Sequence, residues 1–174
     1  ELNMLITYLE KYGHVVYGQY GSPRFYSNAI NGHYVDIVPF YNFVVSPKPI
    51  LTIDDLLKNF DFTANAIGVN IKTGTIYDPV HGITDINNRV LRAVRLDFPE
   101  KTVSNDIPLS AVSVFWFRLL HFQNKLGFEF EKLTKEWVIE NAYRIKDIEM
   151  FKKYFFTPNI SKELNLYINK CLHQ

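Results

Sequence analysis

The chain predicts an α+β protein, with a mixed sheet module over residues 1–94 followed by a helical module over residues 95–174. Three observations carry that expectation. β-rich runs separated by Gly, Pro and Asn turns fill the stretch from about residue 14 to residue 94. From Ser110 onward the apolar residues recur at helical spacing instead. With 47% hydrophobic and 16% aromatic residues in 174, the chain has enough apolar surface to bury a core.

Taken in order, Leu2, Leu5, Ile6 and Leu9 recur at helical spacing and stop near Gly13, which predicts a short amphipathic opening helix. Residues 14–19, 24–30 and 33–39 read as strands. Gly21-Ser22-Pro23 and Asn31-Gly32 serve as their turns, and Asn-Gly between two β-rich runs is a strong hairpin signal. Pro47 and Pro49 make residues 44–51 a connecting loop. Thr52 then caps a short helix through Leu56 and Leu57, with Asp55 in a capping-box position.

Residues 61–92 read as a packed strand segment, a tight turn at Thr73-Gly74, a second strand, a turn at Pro79, a one-turn helix and a final strand. The segment up to Leu109 is irregular. A long apolar helix follows over 110–126, ended by Gly127 at the position that favours a left-handed backbone. Three more helices are expected over 134–143, 146–155 and 161–172, the last introduced by Pro158-Asn159 and a Ser161 cap. There is no repeat and no low-complexity tract.

A formal charge of +1 creates no overall field for nucleic acid, so any RNA contact must come from local basic patches. One cysteine, Cys171, allows neither an internal disulfide nor a cysteine-based metal cluster, which fits a reducing compartment. The apolar run around Phe115 is broken by Arg118 and followed by His121, Gln123, Asn124 and Lys125, so it is not a membrane span. The expectation is a soluble intracellular protein of the cytoplasm or mitochondrion. Glu1 is preceded by no methionine or recognisable signal peptide, so the chain reads as processed, a fragment, or short of upstream residues.

Asp61-Phe62-Thr63-Ala64-Asn65-Ala66, followed by Asp78-Pro79-Val80-His81-Gly82-Ile83-Thr84-Asp85, is a long ordered run of turn chemistry. It resembles the family of class II tRNA nucleotidyltransferases (CCA-adding enzymes) and bacterial poly(A) polymerases, over the C-terminal half of the head domain and the neck. Upstream, residues 9–40 are similar to the family's helix, hairpin and strand bearing an acidic residue, a position held here by Asp36. Downstream, residues 118–129 (RLLHFQNKLGFE) resemble the helix that opens the neck. The resemblance covers roughly Leu5 to Ala142.

That resemblance implies a nucleotidyltransferase-like mixed sheet, incomplete here, with a helical neck-like module. It also implies template-independent nucleotide addition to an RNA 3′ end, with Mg²⁺ and ATP or CTP. Such chemistry needs closely spaced carboxylates to hold divalent metal. The family's Asp-x-Asp pair and its Gly-Gly-x-x-Arg-Asp element are absent, leaving Asp36 as the candidate catalytic and metal-facing carboxylate. Asp54 and Asp55 are adjacent on a helix, point apart and fit capping instead.

The family's Arg-Arg-Asp triplet is Asn59-Phe60-Asp61 here, with Lys58 nearby. Its Glu-Asp-x-x-Arg-x-x-Arg base readers align with Ala111, Val112, Phe115 and Arg118. The resemblance therefore carries over Asp61, Asn65 and Arg118 as nucleotide-binding residues, with Asn65 open to phosphate binding or to satisfying local backbone. Phe115, Trp116 and Phe117 read as a core face rather than a base-stacking platform. Asp78 and Asp85 read as caps of a turn or helix start, and His81 as exposed. Arg89, Arg92 and Arg95 flank the final strand and are candidates for contacts to RNA backbone or triphosphate, against the alternative of a solvated strand edge.

Two functions follow. One is a non-catalytic descendant acting as an RNA-binding or scaffolding subunit of an RNA-processing or ribonucleoprotein assembly. The other is an active RNA 3′-end nucleotidyltransferase whose Asp-x-Asp motif lies upstream or in a partner. Both expect a tRNA or other RNA partner, protein subunits of a larger assembly, no membrane, and a cleft between sheet and long helix faced by Asp36, Asp61 and Arg118.

Overall fold

The computed structural model describes residues 1–18, 22–30, 32–39 and 49–172, which divide into two compact units, Glu1–Ile50 and Leu51–Gln174.

In the first unit, helix α1 (Leu2–Leu9) buries Ile6 and leads into three strands, β1 (Gly13–Tyr17), β2 (Pro23–Ser27) and β3 (Tyr34–Asp36). They form an antiparallel sheet in the order β1-β2-β3. The register pairs His14 with Tyr26 and Val16 with Arg24 on one side, then Tyr26 with Tyr34 and Arg24 with Asp36 on the other. Gly13 is obligatory, because a Cβ there would sit 1.9 Å from the Tyr26 carbonyl oxygen.

The strands are shorter than expected. β2 ends at Ser27 and β3 begins at Tyr34, so the connection is longer than a two-residue hairpin turn. Within it Ala29 N–H donates to Ser27 Oγ at 3.1 Å, and Gly32 takes the positive φ of 79° that glycine tolerates. Gln19, Gly21, Asn31 and residues 44–48, on which parts of the turn and loop expectations rest, lie outside the described residues.

The second unit opens with α2 (Ile53–Leu57), closed at its N-terminus by a capping box. Asp55 N–H donates to Thr52 Oγ1 at 3.1 Å, while Thr52 N–H donates to Asp55 Oδ2 at 3.0 Å. The expected packed strand segment is reduced to an isolated antiparallel bridge between Phe62 and Ala93, followed by a single 3-10 turn over Thr63–Asn65. Strands β4 (Gly68–Val69) and β5 (Ile76–Tyr77) pair antiparallel across a turn in which Gly74 N–H donates to the Asn70 carbonyl at 2.7 Å.

Helix α3 (Gly82–Asn87) and strand β6 (Val90–Leu91) follow. The segment expected to be irregular contains an antiparallel pair, β7 (Thr102–Ser104) with β8 (Ile107–Ser110).

Helix α4 (Ala111–Leu126) has its ends where local chemistry sets them. Ser110 Oγ accepts from Ser113 N–H at 3.2 Å, and Gly127 closes the helix at φ 63°. A strand not foreseen, β9 (Glu129–Phe130), pairs parallel with β6. Helices α5 (Lys132–Glu140), α6 (Ile148–Tyr154) and α7 (Lys162–Leu172) complete the unit, with a 3-10 segment over Ala142–Asp147 between α5 and α6.

The core is built on α4. Trp116, Phe117, Leu119 and Leu120 are fully buried with Leu91, Val138, Phe151 and Ile168. Trp116 Nε1 donates to the Val138 carbonyl at 2.9 Å, and Phe117 stacks on Phe151 with ring centres 4.7 Å apart. Phe115 lies against Phe98 and Trp137 at 4.4 and 5.2 Å. The helix spends its aromatic face on packing, as an interior of this kind requires. The fold is α+β: short sheet elements followed by packed helices.

Candidate functional site

Asp61 is the centre of a hydrogen-bonded triad that its sequence neighbours alone could not assemble. Phe62, buried and bridged to Ala93, anchors the backbone beside it, and the 3-10 turn over Thr63–Asn65 brings Asn65 back over Asp61. Asn65 Nδ2 donates to Asp61 Oδ1 at 2.6 Å. From α4, Arg118 Nε donates to Asp61 Oδ2 at 2.5 Å. Three of the residues named from the sequence therefore meet.

A carboxylate can only accept, so the Asn65 amide must present its NH₂ to Asp61. Its carbonyl oxygen is thereby left buried without a hydrogen-bond partner among the described residues. A buried acceptor in that state calls for a donor. The Arg118 guanidinium also lies over the Phe122 ring at 5.2 Å, and Phe122 packs on Phe62 at 5.0 Å. The triad thus sits on an aromatic floor, with Asp61 largely buried and Arg118 one-third exposed.

Beneath the triad runs a second network. Thr63 Oγ1 donates to Asp85 Oδ2 at 2.7 Å, and Arg92 Nε donates to the same oxygen at 2.9 Å. Arg92 also reaches Glu131 at 3.6 Å, and Glu131 accepts from Thr134 N–H at 3.0 Å. Asp85 is 4% exposed, so its charge is matched internally. It serves as a tie between α3 and the 61–65 turn rather than as a helix cap. Asp78 does cap α3: Gly82 N–H donates to its Oδ1 at 2.6 Å and Ile83 N–H to its Oδ2 at 3.1 Å. Sequence spacing carried no signal for Glu131 in this network.

The other named residues lie as follows. Arg89, at φ 56°, donates from its guanidinium to the Gly127 carbonyl at 3.3 Å. Arg95 donates to Asp97 Oδ1 at 2.6 Å and to Asn59 Oδ1 at 3.0 Å, and stands over Phe98 at 5.0 Å. His81 is exposed with a left-handed backbone. The positions aligned with the family's base readers are buried at Val112 and Phe115.

Asp36 belongs to the first unit, on β3. Arg24 embraces it, with Nε donating to Oδ1 at 2.7 Å and Nη2 to Oδ2 at 3.3 Å. Those bonds hold the Arg24 pKa above its ordinary value. Among the described residues no group of three or more His, Cys, Asp and Glu side chains is placed to hold a metal ion. With its single carboxylate already paired, the Asp36 neighbourhood does not fit Mg²⁺. No helix among the described residues is long and apolar enough to cross a membrane.

Residues 25–92 match the family model described as the poly(A) polymerase head domain. A multifunctional CCA protein of Stenotrophomonas maltophilia is 44% identical over 61 residues, covering 35% of this chain and 15% of the relative. A CCA-adding enzyme of Lactobacillus helveticus is 27% identical over 131 residues, covering 72% of this chain and 31% of the relative. The chain thus spans less than a third of the length of these curated relatives.

Among solved structures, a CCA-adding enzyme in apo form superposes with a TM-score of 0.59 at 18% identity, covering 99% of this chain and 41% of that one. The Thermotoga maritima CCA-adding enzyme in complex with tRNA superposes at 0.56 and 19% identity, covering 99% and 39%. At such identities the likeness is one of fold. Segment match and fold agree: residues 25–92 are similar in sequence to the poly(A) polymerase head domain, and the chain shares the fold of CCA-adding enzymes.

Proposed function

We propose that this protein is a non-catalytic member of that lineage, an RNA-binding or scaffolding subunit of an RNA-processing or ribonucleoprotein assembly. The observation that carries the reading is the burial of Phe115, 2% exposed and packed between Phe98 and Trp137, at a position aligned with a base-reading arginine. A side chain committed to the core cannot read a base edge. Val112, 4% exposed at the aligned acidic position, supports the same conclusion. The partner is RNA, a tRNA or another 3′ end, with protein subunits alongside.

The Asp61–Asn65–Arg118 triad favours a second reading. Its buried, unpartnered Asn65 carbonyl oxygen suits a donor from a nucleotide sugar or base. Under that reading the protein is an RNA 3′-end nucleotidyltransferase using ATP or CTP, with Mg²⁺ held by carboxylates outside the described residues.

Calorimetric titration of ATP and CTP into the full-length gene product, with and without Mg²⁺, separates the two. The non-catalytic reading expects no nucleotide binding at millimolar concentration, together with retained binding of a tRNA 3′-end oligonucleotide. Metal-dependent nucleotide binding that disappears in Asp61→Ala would establish the second reading instead.

A further inference from the structure

We propose that the outer face of α1 pairs with the same face of a second copy of this chain, as two antiparallel helices about a twofold axis. The inference stands apart from the RNA-binding and nucleotidyl-transfer readings, since both leave this helix unused.

Helix α1 is apolar around more of its circumference than the sheet covers. Ile6 is buried, and Leu2 and Leu9 are half-buried on the same side, toward β1. A second apolar row runs beside them. Met4, Tyr8 and Tyr12 recur every fourth residue, with Leu5 alongside. The chain keeps turning past Glu10, because Lys11 N–H donates to the Tyr8 carbonyl at 3.3 Å and Tyr12 N–H to the Leu9 carbonyl at 2.8 Å. All four side chains of the row are exposed, Met4 to 76%, and α1 holds no charged residue within its span. A helix apolar on two sides, one of them bare, is a packing surface without its partner.

Charge selects that partner. Glu1 stands at the N-cap and Lys11 just past the C-cap, with Lys11 Nζ 5.9 Å from the Tyr8 ring centre at the rim of the row. Glu10, two residues from Tyr12, points away from the row. The ion pairs among the described residues include neither Glu1 nor Lys11.

In an antiparallel helix pair, two residues meet when they lie equally far from the level of the twofold axis. Met4 and Tyr8 straddle residue 6, and so do Glu1 and Lys11. One placement therefore sets Met4 on Tyr8 of the second copy and Glu1 against its Lys11, each contact made twice, as an isologous interface requires. It also lays each helix N-terminus beside the other's C-terminus, the favourable sense of the helix dipoles. A parallel pair would oppose like charges at both ends. Because α1 is short, the contact belongs to the weak, transient class of interfaces.

The test is sedimentation equilibrium of the full chain over a range of concentrations. The variants are Met4→Lys, Lys11→Glu, Glu1→Lys and the double reversal Glu1→Lys with Lys11→Glu, each checked for folding by circular dichroism. We expect a monomer–dimer equilibrium that Met4→Lys abolishes. Each single reversal should raise the dissociation constant about two- to 30-fold, the worth of two exposed ion pairs, and the double reversal should restore the wild-type value.

A wild-type chain that stays monomeric at millimolar concentration overturns the inference. So does a dimer that Met4→Lys leaves intact, since its interface lies elsewhere. A double reversal no tighter than the single ones overturns the antiparallel pairing. None of these results touches nucleotide or RNA binding, so the readings above stand or fall separately.

Discussion

Arg118 Nε donates to Asp61 Oδ2 at 2.5 Å, joining two residues fifty-seven positions apart. The bond fastens α4 to the turn that carries Asn65, so it sets the geometry of the candidate site as well as the packing beneath it. Asp61 is the more buried partner, and a buried charge deprived of its mate is costly. Arg118→Met should lower unfolding free energy by about 1–3 kcal/mol, with the low end favoured by the exposure of Arg118. A double-mutant cycle with Asp61→Asn, read by urea denaturation, should return a coupling energy above about 0.5 kcal/mol. Additivity of the two substitutions would mean the contact is not formed in solution.

Gly82 should tolerate no side chain. A Cβ there would lie 2.1 Å from the Thr63 carbonyl oxygen, which is backbone and cannot swing aside. Gly82→Ala is expected to cost about 2 kcal/mol or more through forced displacement of α3 from the 61–65 turn. Gly74→Ala, at φ 72° with open space around it, should cost only about 1 kcal/mol. Equal losses at the two sites in denaturant titrations would refute the close approach of α3.

Arg92 neutralises the buried Asp85 and reaches Glu131, linking α3, β6 and α5. Arg92→Met should destabilise by about 2 kcal/mol, less than for a fully buried pair because Arg92 is nearly half exposed. Asp85→Asn should cost less than Arg92→Met, since the charge it leaves behind, on Arg92, is nearly half exposed and still reaches Glu131, whereas Arg92→Met strands a buried carboxylate. Chemical denaturation of both variants decides the order.

His121 should make stability depend on pH. Its Nδ1 accepts the Asn159 N–H at 3.0 Å, and its ring lies against Phe156 and Phe122 at 4.5 and 5.0 Å. Accepting that bond requires a neutral ring. Burial, then Lys125 and Arg118, holds its pKa below the ordinary value. The unfolded chain therefore takes up a proton first, near pH 6.5. This contribution is full above that pH, is lost as pH falls toward the lower folded value, and levels off below it. Melting temperature followed across that window should drop more in the wild-type protein than in His121→Gln, whose side-chain oxygen accepts the same bond without titrating. Parallel profiles would remove His121 from the account.

The ends of α4 were legible because Ser110 and Gly127 act on backbone groups within a turn of themselves. The capping box at Thr52 and Asp55 was legible for the same reason. Strands β7, β8 and β9 were not. Each is two to four residues long, too short for a period to show, and each exists only because a partner strand lies beside it. At the candidate site, Asp61, Asn65 and Arg118 were named through family resemblance, but that the three touch was not. Asp85 was expected to cap and instead ties Thr63 to Arg92, a pairing that depends on how α3 packs.

By itself, then, the sequence determined the α+β order of elements, the ends of α4, the turn at Gly74 and the aromatic face that becomes the core, because propensity, capping and periodicity act over a few neighbouring residues. Only the tertiary structure decided which distant charge meets which carboxylate, which short segments become strands, and which tyrosines remain at the surface. Those outcomes turn on contacts between residues tens of positions apart, where a side chain's identity limits its partners but packing selects among them.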